Sequence, residues 1–408
     1  MSTELQRAMS VIGAGAKIST SPCCSTPTML LRGLGARARE VPGLQLSTGL
    51  LLGELDFVDA IRDGSLAMRS WQVSGALRPL ASSGIVQYVP LRASSVAHYL
   101  QGQTDIALIR VSPPDAEGWC SLGPSASYTA ALVAAAGLVI AEVDPGMPRP
   151  LGEHSRIRRT DIDHLIESDT PIATYPEAAR SDVTDSIVST VVGLIPDGAS
   201  VQLGIGAVPQ GVASGLSTSE LSDLRMIGLA CDSMVALLDS GRLAKGVGIH
   251  AAEVLGTQAI FSAVDRNPAI RLSPSSVMHD PLWLATQPRL ISVCSALAVD
   301  LTGQVASESV NGKILAGAGG SADFFDGARL SPGGRCVIAM PATTASGDSR
   351  ITAQFGAGTA VTLARHSVDV VVTEFGAAVL TGLSLSERAE ALAAIAAPQH
   401  REALLAAR

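Results

Sequence analysis

The chain has 408 residues, of which 47% are hydrophobic, 16% charged and only 3% aromatic, and its net charge is −8. Such a composition supplies ample core and excludes an intrinsically disordered chain. An acidic balance without a basic stripe interleaved with aromatics excludes a nucleic-acid binder.

The length suggests two or three domains, with cores of Ala, Val, Leu and Ile rather than aromatic rings. The N-terminus, MSTELQRAMSVIGAG, has no basic stretch running into a long apolar one, so no secretory signal is expected. The longest apolar stretch, Ala130 to Ala141, is too short to span a bilayer and is followed by Glu142 and Asp144. Cys23, Cys24, Cys120, Cys231, Cys294 and Cys336 form no C-x-x-C pair, which fits a reduced, cytoplasmic protein.

Taken in chain order, short apolar runs alternate with helical stretches. Strands are expected at Ile106–Val111, Gly137–Val143, Ser200–Leu203, Leu290–Val293, Cys336–Met340 and Val368–Thr373. Each is apolar at most positions, as strands buried on both faces are. Helices are expected at Asp185–Leu194, Met234–Asp239 and Leu385–Ala397, the last preceded by a capping-box pair, Ser384 with Glu387. This alternation predicts a layered α/β fold with mostly parallel sheets.

The chain also repeats itself. Gly15-Ala16-Lys17-Ile18 … Pro27 parallels Gly198-Ala199-Ser200-Val201 … Pro209, with offsets of 198 − 15 = 183 and 209 − 27 = 182. Ala107–Val111 followed by Gly118-Trp119-Cys120-Ser121 similarly parallels Ser295–Val299 followed by Gly303–Ser307. Two related α/β domains in tandem are therefore expected, 1–181 and 182–408, and a ligand site between such halves is the default.

Three glycine-rich segments can bring a ligand against backbone N–H groups. In Val201–Pro209 a strand runs into Gly204-Ile205-Gly206-Ala207-Val208; the others hold Gly317, Gly319 and Gly320, and Gly356 and Gly358. Alone, the first can equally be a plain turn and each of the others is more often one; three in one chain favour a ligand gripped by backbone amides. The first is no Rossmann fingerprint, since Pro209 holds the third glycine position, and no P-loop, since no G-K-[ST] follows. There is no G-x-S-x-G, no H-E-x-x-H and no Cys/His cluster, so neither a serine hydrolase nor a metal site is expected.

Six segments in order, 107–129, 138–149, 194–212, 298–313, 317–328 and 371–392, resemble the acetyl-CoA hydrolase/CoA-transferase family, in particular its 4-hydroxybutyrate and acetate CoA-transferase branch. The resemblance implies two similar three-layer α/β domains and coenzyme A, carried as a substrate thioester. It also implies a second-domain glutamate that attacks the acyl-CoA, in a motif close to G-I-H-T-E-M-x-S-D-G-x-x-x-L-x-x-x-G. Anchored on Asp232, Leu237 and Gly241, that motif places Gly228 at the glutamate. Glycine cannot form an acyl-glutamyl anhydride or glutamyl-CoA thioester. Other polar positions of the family pattern are replaced by Pro150-Leu151, Ala298 and Thr381.

The expectation is therefore an acyl-CoA hydrolase without a glutamyl-CoA intermediate. Backbone donors near Gly206–Val208 and Gly319–Gly320 would form its oxyanion hole, and Glu54, Glu153, His154 or Asp232 its base. Cys231 as a thiol nucleophile is the weaker reading, because free cysteines usually pack as small apolar residues. Alternatives are an ordinary CoA-transferase, a CoA-ester carbon–carbon hydrolase or cyclase, and a non-catalytic CoA-binding protein. The expected partner is an acyl-CoA, with no nucleic acid and no membrane; a homodimer is left open.

Overall fold

The structure, a computed structural model, describes residues 3–73 and 75–407. Packing divides the chain into two units. One comprises Met1–Pro176 and His250–Met278, the other Glu177–Ile249 and His279–Arg408.

The first unit is built on a seven-stranded sheet. Its spatial order is Val86–Tyr88, Leu66–Ser70, Leu44–Thr48, Lys17–Thr20, Ile106–Val111, Leu138–Val143, His164–Glu167. All neighbours run parallel. In the second unit the order is Arg225–Cys231, Ser200–Leu203, Ile291–Cys294, Arg335–Ala339, Val370–Thr373, Gly376–Val379, parallel except for the last, antiparallel pair. Ile106–Val111 and Ser200–Leu203 are buried at every position, so both faces of each sheet are covered. Layered α/β architecture is thus present in both units, as the apolar runs require.

The repeat is visible as a shared strand order. Lys17–Thr20 and Ser200–Leu203 occupy equivalent places, 200 − 17 = 183 residues apart. Each has the next strand of its unit on one side and a later strand on the other. The second sequence parallel needs correcting. The strand beside Ser200–Leu203 is Ile291–Cys294, so the counterpart of Ile106–Val111 lies ahead of Ser295–Val299. Ala298–Asp300 belongs instead to a small three-stranded sheet with Val305–Ala306 and Ile351–Thr352. Runs of Ser, Ala and Val slide by a few residues without changing their pattern, which is why the match overshot.

The sequence reading cuts the chain once, between 181 and 182, whereas His250–Met278 packs with the first unit. Its backbone is tied there at several points: Ser127 N–H donates to Ala252 O (3.0 Å), Val254 N–H to Pro124 O (2.8 Å), Tyr175 N–H to Gly256 O (2.8 Å) and Leu272 N–H to Leu151 O (2.8 Å).

Helix boundaries follow their caps. Helix Asp182–Val192 begins three residues before the expected start, because Ser181 accepts the Thr184 N–H. The capping box forms as expected, with Glu387 accepting the Ser384 N–H at 2.8 Å. The expected helix Leu385–Ala397 stops at Ala394, since Ala397 precedes Pro398 and is extended (ψ 136°), and a second helix, Pro398–Ala406, follows.

Candidate active site

In the second unit, strand Ser200–Leu203 runs through Gly204 into the helix Ala207–Thr218. Gly206 caps that helix with φ +128° and ψ 174°, a conformation essentially confined to glycine. Pro209, in the first turn, costs no hydrogen bond because its missing N–H would have had no intrahelical partner. Gly317, Gly319 and Gly320 likewise lead into a helix, Ser321–Leu330, with Gly320 at its cap. A Cβ on Gly320 would lie 2.4 Å from the His279 ring, so that glycine also serves packing.

Gly356 and Gly358 differ. They pack on the turn of the hairpin Ser309–Val310/Lys313–Ile314, where Gly312 N–H donates to Gly358 O at 3.0 Å. Cβ atoms at 356 and 358 would sit 3.0 Å from Asn311 Oδ1 and 2.9 Å from Gly312 N. This close approach accounts for both glycines without a ligand.

Gly228 lies within strand Arg225–Cys231 at φ +98°. A Cβ there would be 2.7 Å from Phe324 Cζ and 3.4 Å from Gln202 Cγ. The Gln202 amide is itself held, accepting from Ser292 Oγ at 2.5 Å. The ring of Phe324 thus occupies the space a side chain at 228 would need.

The expected bases fall in different surroundings. Glu54 is exposed in the loop before helix Val58–Arg62. Glu153 and His154 are also exposed, and their side chains stand 3.8 Å apart, beyond hydrogen-bond distance. Asp232, in the second unit, is half-buried at the start of helix Ser233–Asp239. The other three belong to the first unit. Burial pushes the Cys231 thiol up to about 12, so it stays protonated and packs as a small core residue.

A carboxylate absent from that set has the more unusual environment. Glu253, on strand Ile249–Leu255, accepts the Ser125 hydroxyl at 2.5 Å, with the Ser127 and Cys23 side chains beside it. All belong to the first unit. Ser125, Ser127 and Cys23 are buried, whereas Glu253 keeps part of its surface open. Cys23 is held in the left-handed region, φ +56°, by the tight turn after strand Lys17–Thr20. Burial pushes the Glu253 carboxyl up to about 7, the hydrogen bonds opposing it only in part. The only sequence signal was a single acid inside a strand apolar at every other position but His250, Ile249-His250-Ala251-Ala252-Glu253-Val254-Leu255.

A pH-dependent stability follows. Between 4.5, the ordinary value, and about 7 the folded chain holds a proton at Glu253 that the unfolded chain has released, so this group lowers stability as pH rises through that window. Glu253→Gln removes the effect. The melting temperature of the variant relative to the parent is expected to climb from pH 4.5 to 7 and then level off. His250, which burial and Arg271 lower to about 4, titrates in both proteins and cancels in the difference. A pH-independent difference in calorimetry would show that Glu253 ionises normally.

All six cysteines are free and buried. Among the described residues, no helix is long and apolar enough to cross a membrane.

Comparison with known proteins places this architecture in a family. The family models described as acetyl-CoA hydrolase/transferase N-terminal domain and C-terminal domain match residues 3–176 and 256–408. The 4-hydroxybutyrate coenzyme A transferase of Clostridium kluyveri is 34% identical over 98% of this chain and 95% of its own length. The butyryl-CoA:acetate CoA-transferase of Anaerostipes caccae is 31% identical over 98% and 93%. The crystal structure of RipA from Yersinia pestis superposes with a TM-score of 0.91 at 29% identity, covering 99% of this chain and 96% of that one. The chain belongs to the acetyl-CoA hydrolase/transferase family, as its ordered sequence segments implied.

Proposed function

We propose that this protein binds a coenzyme A thioester and hydrolyses it by direct attack of water, without a glutamyl-CoA intermediate. The observation that carries this reading is Gly228. We read it, aligned on the family motif, as standing at the nucleophile's place, and the Phe324 ring lies against it. The backbone donors that a thioester carbonyl needs remain available in the first turns of helices Ala207–Thr218 and Ser321–Leu330. A preorganised donor of this kind contributes roughly 3–4 kcal/mol to the transition state. The reading makes the ligand a soluble acyl-CoA handled in the cytoplasm.

The full-length identity to two CoA-transferases favours a second reading, transfer of CoA to a carboxylic acid. Thiol release from a panel of acyl-CoAs, with and without acetate, separates the two. Hydrolysis gives acetate-independent release; transfer gives acetyl-CoA and requires the acid.

Binding can be tested apart from turnover. Coenzyme A or a short acyl-CoA at 100 times its dissociation constant should stabilise the fold by about 2.7 kcal/mol. If no thioester at millimolar concentration moves the melting temperature, the binding proposal is wrong. Gly206→Val and Gly319→Val should weaken that binding at least tenfold while the fold survives. No atom lies within 4 Å of either added Cβ, but at φ +128° and +59° valine forces the backbone to move. Unchanged affinity in both variants would mark these segments as plain turns.

A further inference from the structure

One buried side chain of the second unit carries a donor that the fold does not use. Gln202, 4% exposed, is the third residue of strand Ser200–Leu203. Its Oε1 accepts from Ser292 Oγ at 2.5 Å and from Cys294 Sγ at 3.7 Å, both on the neighbouring strand. Burial pushes the Cys294 thiol up to about 12, so it stays a donor. Two donors on one oxygen fix which way the amide faces and turn its Nε2 away from them. Among the described residues Gln202 makes no hydrogen bond through Nε2. A buried amide whose N–H groups meet no acceptor is costly, and an apolar side chain would serve the strand better if packing were its only task.

The amide borders both glycine turns proposed to hold the thioester. The strand ladder continues past Leu203, Gly204 N–H donating to Val293 O at 2.9 Å. Alternate residues of a strand share a face, so Gly204 follows Gln202 on the same side, just before the Gly206 cap. On the adjacent strand, a Cβ at Gly228 would lie 3.4 Å from Gln202 Cγ and 2.7 Å from Phe324 Cζ. A Cβ at Gly320 would lie 3.2 Å from Phe324 Cε2. Gln202, Gly228, Phe324 and Gly320 are therefore successive close neighbours, running from the strand to the cap of helix Ser321–Leu330. All of them lie in the second unit.

We propose that Gln202 is a catalytic residue of this site, its Nε2–H donating to the carbonyl oxygen of the bound thioester, with Ser292 as the residue that positions it. This rests on the hydrolytic reading above. The group bound must be an acceptor, because the amide's own acceptor is already taken. A carbonyl oxygen gaining negative charge fits; a cation or an acidic proton does not. Water adds to the carbonyl carbon, whose π pair moves onto oxygen, and the bond from Nε2–H strengthens as that charge builds. On collapse the carbon–sulfur bond breaks with its pair going to sulfur, and the proton that the water gives up ends there. Acyl-CoA and water become carboxylic acid and CoA thiol, and the amide neither gains nor loses a proton.

The test compares the parent with Gln202→Leu, Gln202→Glu and Ser292→Ala. It follows thiol release from acyl-CoAs, the CoA-induced melting shift, and the infrared carbonyl stretch of a bound ketone analogue of acyl-CoA with methylene in place of the thioester sulfur. Gln202→Leu should keep the melting shift and lose about 10²–10³-fold in kcat, with KM little changed. The analogue's stretch should lie lower in the parent than in Gln202→Leu. Gln202→Glu, which sets an acceptor where the donor stood, should lose at least as much in kcat. Ser292→Ala frees the amide to turn, so its kcat should fall less and its stretch should move part of the way. A stretch unmoved in Gln202→Leu, or a kcat within tenfold of the parent, overturns the proposal and leaves the amide a partner of water only, with the hydrolytic reading intact. If neither Gln202 variant folds, Ser292→Ala decides, and a stretch and kcat equal to the parent's overturn the proposal. A parent that binds the analogue but hydrolyses no thioester defeats the hydrolytic reading, while a stretch displaced in Gln202→Leu still upholds the carbonyl contact. A parent that binds neither CoA nor the analogue overturns both.

Discussion

Replacing Arg110 by methionine is expected to cost about 3–5 kcal/mol of stability, the usual result of removing one partner of a buried ion pair. Arg110 is 0% exposed on strand Ile106–Val111, directly opposite Glu142 on Leu138–Val143. Its guanidinium lies 3.0 Å from Glu142 Oε1 and 2.8 Å from Asp144 Oδ2, and donates to Thr170 O. Glu142 is itself a hub. Its Oε2 accepts the Met29 and Leu30 N–H groups at the start of helix Thr28–Ala38, at 3.1 and 3.3 Å, and its Oε1 accepts Ser168 Oγ at 2.5 Å. Methionine fills the volume but leaves two desolvated carboxylates side by side without their cation. Urea unfolding of the single variant should show the loss. Adding Glu142→Gln and Asp144→Asn should recover part of it, because the penalty lies in the stranded charges rather than in the missing pair. A loss below about 1 kcal/mol would mean that water reaches this site.

The same network explains why much of the fold was legible. Ile106–Val111 reads as a buried strand despite its arginine because five of six residues are apolar, and the arginine's partner Glu142 lies opposite it on the neighbouring strand. The capping serines and the residue before Pro398 act locally, through single hydrogen bonds or a steric clash, so helix ends could be read or explained from short sequences. The placement of His250–Met278 in the first unit could not. It depends on backbone bonds from Ser127, Leu151 and Tyr175 across long sequence separations, and backbone donors carry no side-chain signature.

The glycines of the candidate site were legible where backbone conformation dictates residue type. Gly206 and Gly228 adopt positive φ, and glycine is what such positions select. The bases were not legible in this way. Glu153 and His154 were neighbours in sequence, and on the surface their side chains stand 3.8 Å apart, too far for a hydrogen bond. Glu253 was missed because its character comes from residues 128 and 230 positions earlier in the chain, Ser125 and Cys23. A single acid in an apolar strand is a weak clue until the fold shows what surrounds it.

Gly228→Glu is expected to lose stability and gain no CoA-transferase activity. At φ +98° a residue with a Cβ costs about 1–3 kcal/mol in backbone strain alone. The added Cβ would also meet Phe324 Cζ at 2.7 Å, forcing the ring or the strand to shift. Such a shift misplaces the new carboxylate, and an error of about 1 Å can cost on the order of 100-fold in rate. The other replaced positions of the family pattern bring no carboxylate back: Ala298 is buried and apolar, and Leu151 is 44% exposed. The companion expectation concerns the unmodified protein. Incubated with any acyl-CoA and reduced with borohydride, it should yield no adduct on the peptide 224–241, and its turnover should follow single displacement. The two measurements constrain each other. An adduct on a glutamate with robust ping-pong kinetics would mean that Gly228 does not stand at the nucleophile's place, and the chain would transfer CoA as its full-length relatives are named to do. Without an adduct, and with Gly228→Glu inert, the constraint lies in the backbone: a strand bent to φ +98° beneath an aromatic ring holds a glycine and excludes the carboxylate.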